Sequence, residues 1–145
     1  VCFGSQLIAE ALGGKAAPNP QGWEIGNTEV VLTQEGLNDP LFEGFPECFE
    51  VIQSHQDCVL ALPPDAVLLA TNRHCPVQAY GIGDSLRAVQ FHPEMDACHL
   101  RFILPPRRDR IRMSTGLDVE ELMPKVHDTP GVKRIFDNFL RNIEG

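Results

Sequence analysis

A cysteine running straight into a helix is the first place in this sequence where chemistry could reside. In Val1-Cys2-Phe3-Gly4-Ser5-Gln6 the chain leads directly into Leu7, Ile8, Ala11 and Leu12, which share one helical face until Gly13-Gly14 stops it. Cys2 is therefore expected where unpaired backbone N–H groups and the helix dipole favour a thiolate. Gly4 is placed to relieve a sharp strand-to-helix turn. By residue type alone, the same segment suits a small buried cysteine equally well.

Two later segments could complete such a site. Val89-Gln90-Phe91-His92-Pro93-Glu94 lies at the end of an expected strand, where open α/β sheets gather their ligands and catalytic groups. His92 could take a thiol proton and return it to a leaving amine, and Glu94 could fix the imidazole tautomer. As an isolated triplet, His-Pro-Glu also suits a surface turn. Gln53-Ser54-His55-Gln56-Asp57 again follows a strand and fits either a substrate-contact loop or a set of turn-satisfying side chains. His74 beside Cys75 lacks the carboxylates of a metal site, and His99 and His127 fall in helical or turn segments. Trp23 reads as a packing anchor, and Arg107, Arg108, Arg110 and Arg112 as a solvated helix face.

The elements that must position these groups are mostly legible. Strand signals occupy Glu29 to Leu32, Cys48 to Gln53, Ala66 to Thr71, Pro76 to Gly81 and Leu86 to Phe91. Their short spacing predicts several antiparallel neighbours. Ala16 to Gly26 is rich in Pro, Asn and Gly and reads as a loop. After Glu94 the pattern turns helical: Ala97 to Leu104, interrupted by Pro105-Pro106, then Arg107 to Thr115. A further start is capped by Asp118 with Glu121 as its box partner. In the last helix Thr129 caps, Pro130 opens the first turn, and Val132, Ile135, Phe136, Phe139 and Leu140 form the apolar stripe.

A formal charge of -8 excludes nucleic acid as the main partner, because phosphate binding needs a basic face. No apolar run has the length of a membrane span, so no membrane partner is expected. Cys2, Cys48, Cys58, Cys75 and Cys98 are odd in number, and no pair has C-x-x-C spacing. A disulfide framework is not expected, and a reducing cytoplasm is the predicted setting.

Taken together and in order, the three constellations resemble the class I (triad-type) glutamine amidotransferases. That family carries a G-x-C-x-G-x-Q elbow, an S-H-x-D loop and a V-Q-F-H-P-E segment. Here Cys2, Gly4 and Gln6 match the first, Ser54, His55 and Asp57 the second, and Val89 to Glu94 the whole of the third. Leu12-Gly13-Gly14, Asn19-Pro20, Gly26, Leu41-Phe42-Glu43-Gly44 and Pro76-Val77-Gln78-Ala79 also look similar.

The resemblance implies an α/β fold: a three-layer α/β/α sandwich, flavodoxin-like, with a mostly parallel central sheet and some antiparallel strands. It implies glutamine hydrolysis through a Cys2 γ-glutamyl thioester, with His92 as base and then acid and Glu94 as its orienting partner. The Phe3 N–H would form half of an oxyanion hole. Gln6, Ser54, Gln56 and Asp57 would hold the glutamine, with no metal and no cofactor. A separate ammonia-accepting synthetase is the implied partner. Two alternatives stay open: a γ-glutamyl peptidase acting on glutathione-like conjugates, and a non-catalytic module of the same fold. The family elbow starts one residue before Val1, so residues 1–145 are expected to be the C-terminal two-thirds of one domain whose N-terminal part is absent. The helical stretch over residues 95–128 resembles stand-alone GMP-synthetase-like members.

Overall fold

Alternating apolar residues set the centre of the molecule. In the computed structural model, which describes residues 1–144, β2 (Glu24–Leu32) and β3 (Cys48–His55) pair antiparallel from Glu24 opposite His55 to Val31 opposite Cys48. Neighbouring residues of a strand face opposite sides of a sheet. Val51 accordingly packs with Val30, Leu32, Phe42 and Phe91 on one face, and Ile52 with Trp23, Ile25 and Leu100 on the other. The sheet continues through β5 (Ala66–Thr71), β6 (Ala79–Ile82) and β7 (Leu86–Val89), in the order β3-β2-β5-β6-β7. β1 (Lys15–Pro18) and β4 (Asp57–Ala61) form a separate two-stranded ribbon.

Helices cover both faces, which gives the expected three layers. On one face α6 (Arg134–Glu144) brings Ile135 and Phe139 against the cluster of Phe42, Phe45, Phe49 and Phe91. On the other lie α1 (Phe3–Ala11), α3 (Ala97–Ile103), α4 (Arg108–Thr115) and α5 (Val119–Leu122). α2 (Gln34–Asn38) sits so close to β5 that a Cβ on Gly36 would meet the Leu69 carbonyl at 1.9 Å. Caps fix the helix starts: Thr33 accepts from Gly36 N–H, Asp96 from His99 N–H and Asp118 from Glu120 N–H. Among the described residues no helix is long and apolar enough to cross a membrane.

Several expectations need correction. Among the described residues every strand pairing is antiparallel, so the parallel pairings expected of the sheet's centre are not made by this segment. β5, β6 and β7 follow one another in sequence through residues 72–78 and 83–85, connections too short for the crossover that a parallel pairing needs. The loop expected from Ala16 to Gly26 contains β1 and the start of β2; β1 is ordered by its distant partner β4 rather than by its own pattern. Thr129 makes no side-chain cap: residues Pro130–Lys133 form a 3₁₀ turn before α6 begins. Glu121 is not engaged in a capping box, since Asp118 is satisfied by Glu120 N–H. Of the predicted stripe, Val132 and Ile135 are buried and Phe139 partly so, while Phe136 and Leu140 stay exposed.

Candidate active site

The first turn of α1 carries the most unusual backbone in the chain. Cys2, its N-cap, has φ 44° and ψ −108°, the one positive φ at a non-glycine among the described residues. Such geometry costs about 1–3 kcal/mol and persists only where the surroundings impose it. Cys2 N–H donates to Val89 O at 2.8 Å, which ties the turn to the end of β7. Tyr80 Oη, fully buried, donates to Ser5 O at 2.6 Å and pins the helix to β6. Gly4 does not make this turn: it lacks positive φ, and a Cβ there would touch nothing within 4 Å. The strain falls on the cysteine itself. Phe3 opens α1, so its N–H has no helical acceptor, while its side chain is exposed.

His92 follows β7 and is anchored by its own N–H to Ile52 O at 2.9 Å. Its Nδ1 lies 2.6 Å from Glu94 Oε1, and a carboxylate accepts, so Nδ1 carries the proton. The other ring nitrogen, Nε2, is buried and hydrogen-bonded to nothing among the described residues. Burial opposes a charge on this ring, but the Cys2 sulfur and the Glu94 carboxylate outweigh it and raise its pKa from 6.5 to about 9. Glu94 shows the converse: burial raises its pKa, and His92 more than reverses that to hold it below the usual carboxylate range. A ring whose pKa rises on folding stabilises the fold below pH 6.5, and that contribution fades as pH climbs through about 9. The His92 ring protons are expected to titrate near pH 9 by NMR, and Cys2→Ala to move that midpoint down. A midpoint unmoved by Cys2→Ala would show that the sulfur does not face the ring.

The Ser54 segment reaches Cys2 through a buried polar chain. Gln6 Nε2 donates to Asp57 O at 2.7 Å and to Gln90 Oε1 at 3.1 Å, and Gln90 Nε2 donates to Cys2 Sγ at 3.4 Å. From Asp57 O the chain runs back through His55 Nδ1 at 2.9 Å, and His55 Nε2 meets Glu24 Oε2 at 3.0 Å. Glu24 Oε2 accepts from Gln78 Nε2 at 2.9 Å, and Gln78 Oε1 accepts from Gln53 Nε2 at 2.8 Å. Ser54 Oγ is buried with no partner among the described residues, a donor left for something else to meet. Two expected contacts differ from their residue types. Asp57 enters through its carbonyl, its carboxylate side being exposed. Gln56 Oε1 accepts from Arg110 Nη2 at 2.9 Å, and the same arginine lies over Trp23, 5.4 Å from the ring centre. Arg110 thus braces the loop from the solvated face on which it lies.

Glu24, His55 and Cys75 bring donor atoms within 4.8 Å of one another, buried, in a metal-like grouping. Hydrogen bonds already account for it: Glu24 serves His55, Gln78, Asn72 and Thr28, and Cys75 Sγ contacts Val77 O. His99 pairs with Asp96 and His127 with Glu50 at the surface. Sequence reasoning missed Gln90, Glu24, Gln78 and Arg110. For Gln90 a signal existed, because an amide between the apolar Val89 and Phe91 at a strand end must find partners if it is buried.

The family model for glutamine amidotransferase class-I matches residues 1–99. A GMP synthase [glutamine-hydrolyzing] of Caldanaerobacter subterraneus subsp. tengcongensis is 41% identical over 100 residues, covering 68% of this chain and 19% of that protein. Gamma-glutamyl peptidase 4 of Arabidopsis thaliana is 38% identical over 96 residues, covering 65% of this chain and 38% of its own length. The crystal structure of a glutamine amidotransferase from Thermotoga maritima superposes with a TM-score of 0.78 at 25% identity, over 99% of this chain and 61% of that one. The chain therefore spans under two-fifths of these curated relatives and about three-fifths of the solved one. The superposition includes residues 100–144, which lie beyond the family model, so the helices after His92 are part of the same fold. On the family match across most of its length and the fold that goes with it, this chain belongs to the class I glutamine amidotransferases.

Proposed function

We propose that this chain carries the nucleophile, base and substrate loop of a glutamine-hydrolysing site. The observation that carries the reading is the strained Cys2 at a helix N-terminus beside an imidazole oriented by Glu94. With its pKa raised to about 9, the ring holds a proton at neutral pH, and the helix N-terminus at Cys2 favours the thiolate form for attack. Cys2 Sγ attacks the side-chain amide carbon of glutamine, and the oxygen that gains charge turns toward Phe3 N–H. His92 gives its Nε2 proton to the departing nitrogen, and ammonia leaves a γ-glutamyl thioester. Water then attacks that carbon while His92 takes its proton, the C–S bond breaks, and glutamate is released. Ser54 Oγ, buried without a partner among the described residues, supports its loop as the receiver of the glutamine head, with Gln6 and the Asp57 carbonyl holding the loop to the Cys2 turn and Gln56 supporting it through Arg110.

The chain is proposed to be the C-terminal two-thirds of its domain. Among the described residues β7 is the last strand of the sheet and has no strand partner beyond it, and Val1, Phe3, Leu7 and Leu12 in and flanking α1 are all exposed. Phe136 is also exposed, over a cavity of about 240 Å³ shared with Val1, Leu41 and Val89. A face this apolar suits further strands and a helix of the same domain, consistent with the two-fifths of the solved relative left unmatched. The similarity to GMP synthases supports a separate synthetase as the consumer of the ammonia.

The similarity to a γ-glutamyl peptidase supports a second reading, in which the same acyl-enzyme forms from a larger leaving amine. One experiment separates them: glutamate release by the polypeptide carrying the completed domain, from glutamine and from γ-glutamyl dipeptides. Preference for glutamine with equimolar ammonia is expected. Dipeptide cleavage exceeding glutamine hydrolysis selects the peptidase, and turnover of neither overturns both.

A further inference from the structure

The Cys2 sulfur has a hydrogen-bond donor that belongs to none of the groups assigned above. Gln90 is 1% exposed and stands between the end of β7 and His92. Its amide orientation follows from a fixed point in the backbone. The Asp57 carbonyl offers only lone pairs, so the Gln6 atom 2.7 Å from it is the amide nitrogen. That nitrogen also lies 3.1 Å from the Gln90 side chain, whose facing atom must then be the carbonyl oxygen. The Gln90 nitrogen is left toward Cys2 Sγ, at 3.4 Å. The polarity of the chain, from backbone carbonyl to sulfur, admits no other assignment.

We infer that Gln90 is a further catalytic residue, whose side-chain N–H, oriented through Gln6 by the Asp57 carbonyl, stabilises the sulfur anion of Cys2. The inference rests on the reading of Cys2 as the nucleophile. An amide N–H donates but does not give up its proton at neutral pH, so it favours charge on sulfur and leaves proton transfer to His92. It acts at two moments. Before attack it holds the thiolate; when the thioester is hydrolysed and the C–S electron pair returns to Sγ, it meets the returning charge. With a neutral thioester sulfur between those moments the contact is weaker, which is the difference catalysis requires. Gln6 thereby gains a second role as the positioning residue for this donor.

The test is the rate of iodoacetamide alkylation at pH 7, followed at each cysteine by mass spectrometry, with the exposed Cys48 as the internal reference. Gln90→Met removes the donor at nearly constant volume. Gln6→Glu leaves Gln90 in place but offers it an acceptor, turning its amide so that oxygen faces the sulfur. Both variants are expected to slow Cys2 by about tenfold, the worth of one hydrogen bond to a charged group, with Cys48 unchanged. Cooperative melting of each variant guards against loss of fold, and if Gln90→Met does not melt cooperatively, Gln6→Glu decides. A Cys2 no faster than Cys48 in the unsubstituted chain overturns the nucleophile reading, and this inference with it. A fast Cys2 left unchanged by both substitutions overturns the role of Gln90 alone.

Discussion

Cys2→Ala is expected to abolish glutamine hydrolysis, lowering kcat by about a millionfold, as removal of the nucleophile does in enzymes that act as a linked set. His92→Asn should cost nearly as much, and the double variant no more than either, because each change alone already ends the acyl-enzyme route. Glu94→Gln should be milder, about a hundredfold. Its side chain is 46% exposed, so water can replace part of what the carboxylate does for the ring. The measurement is glutamate release under saturating glutamine by the completed domain. Additive losses in the double variant would mean that Cys2 and His92 act in separate steps, contrary to the proposed mechanism.

The parts of this structure that were legible in the sequence are those written in local patterns. α1, β3, β5 and β7 follow from runs whose own periodicity selects a face, and the His92 segment falls at a strand end as expected. β1 and β4 were not legible, because a four-residue strand such as Lys15–Pro18 has no pattern to show and is held only by a partner some forty residues away. The antiparallel course of the whole sheet was underestimated for a related reason: the family resemblance describes a larger sheet than the strands of this chain build. Within the site, residue type identified Cys2, His92 and Glu94 as candidates. It did not foresee that the strain would fall on Cys2 rather than Gly4, or that Asp57 would act through its carbonyl. Those outcomes depend on which acceptors the fold brings near, a tertiary property with no local trace. Glu24 was missed on the same ground, whereas Gln90 had a local signal in its apolar neighbours Val89 and Phe91.

Glu24→Ala is expected to destabilise the chain more than any surface change, by about 3–5 kcal/mol, since it removes the acceptor of a buried pair and leaves its partners unpaired. The carboxylate is 3% exposed and accepts from His55, Gln78, Asn72 and Thr28 at once. Out of a total stability of about 5–15 kcal/mol, such a loss brings the urea midpoint far down. Glu24→Gln should cost roughly half as much, because one oxygen still accepts while the new amide nitrogen faces donors on its other side. The pH dependence distinguishes the charge from the shape. Burial raises the Glu24 pKa, but hydrogen bonds from His55 and Asn72 and the charge of His55 more than reverse this, leaving it below the ordinary 4.5. A depressed carboxylate contributes stability above that ordinary value and loses it as pH falls through the folded one. The unsubstituted chain should therefore lose stability below about pH 4.5, and Glu24→Gln should lose less of it. The consequence reaches Cys2, because Glu24 holds His55, His55 holds the Asp57 carbonyl, and that carbonyl orients Gln6 and Gln90. In conditions where Glu24→Gln remains folded, alkylation of Cys2 should slow while Cys48 does not. An unchanged Cys2 rate in the folded variant would confine Glu24 to stability and break the link between the sheet interior and the sulfur.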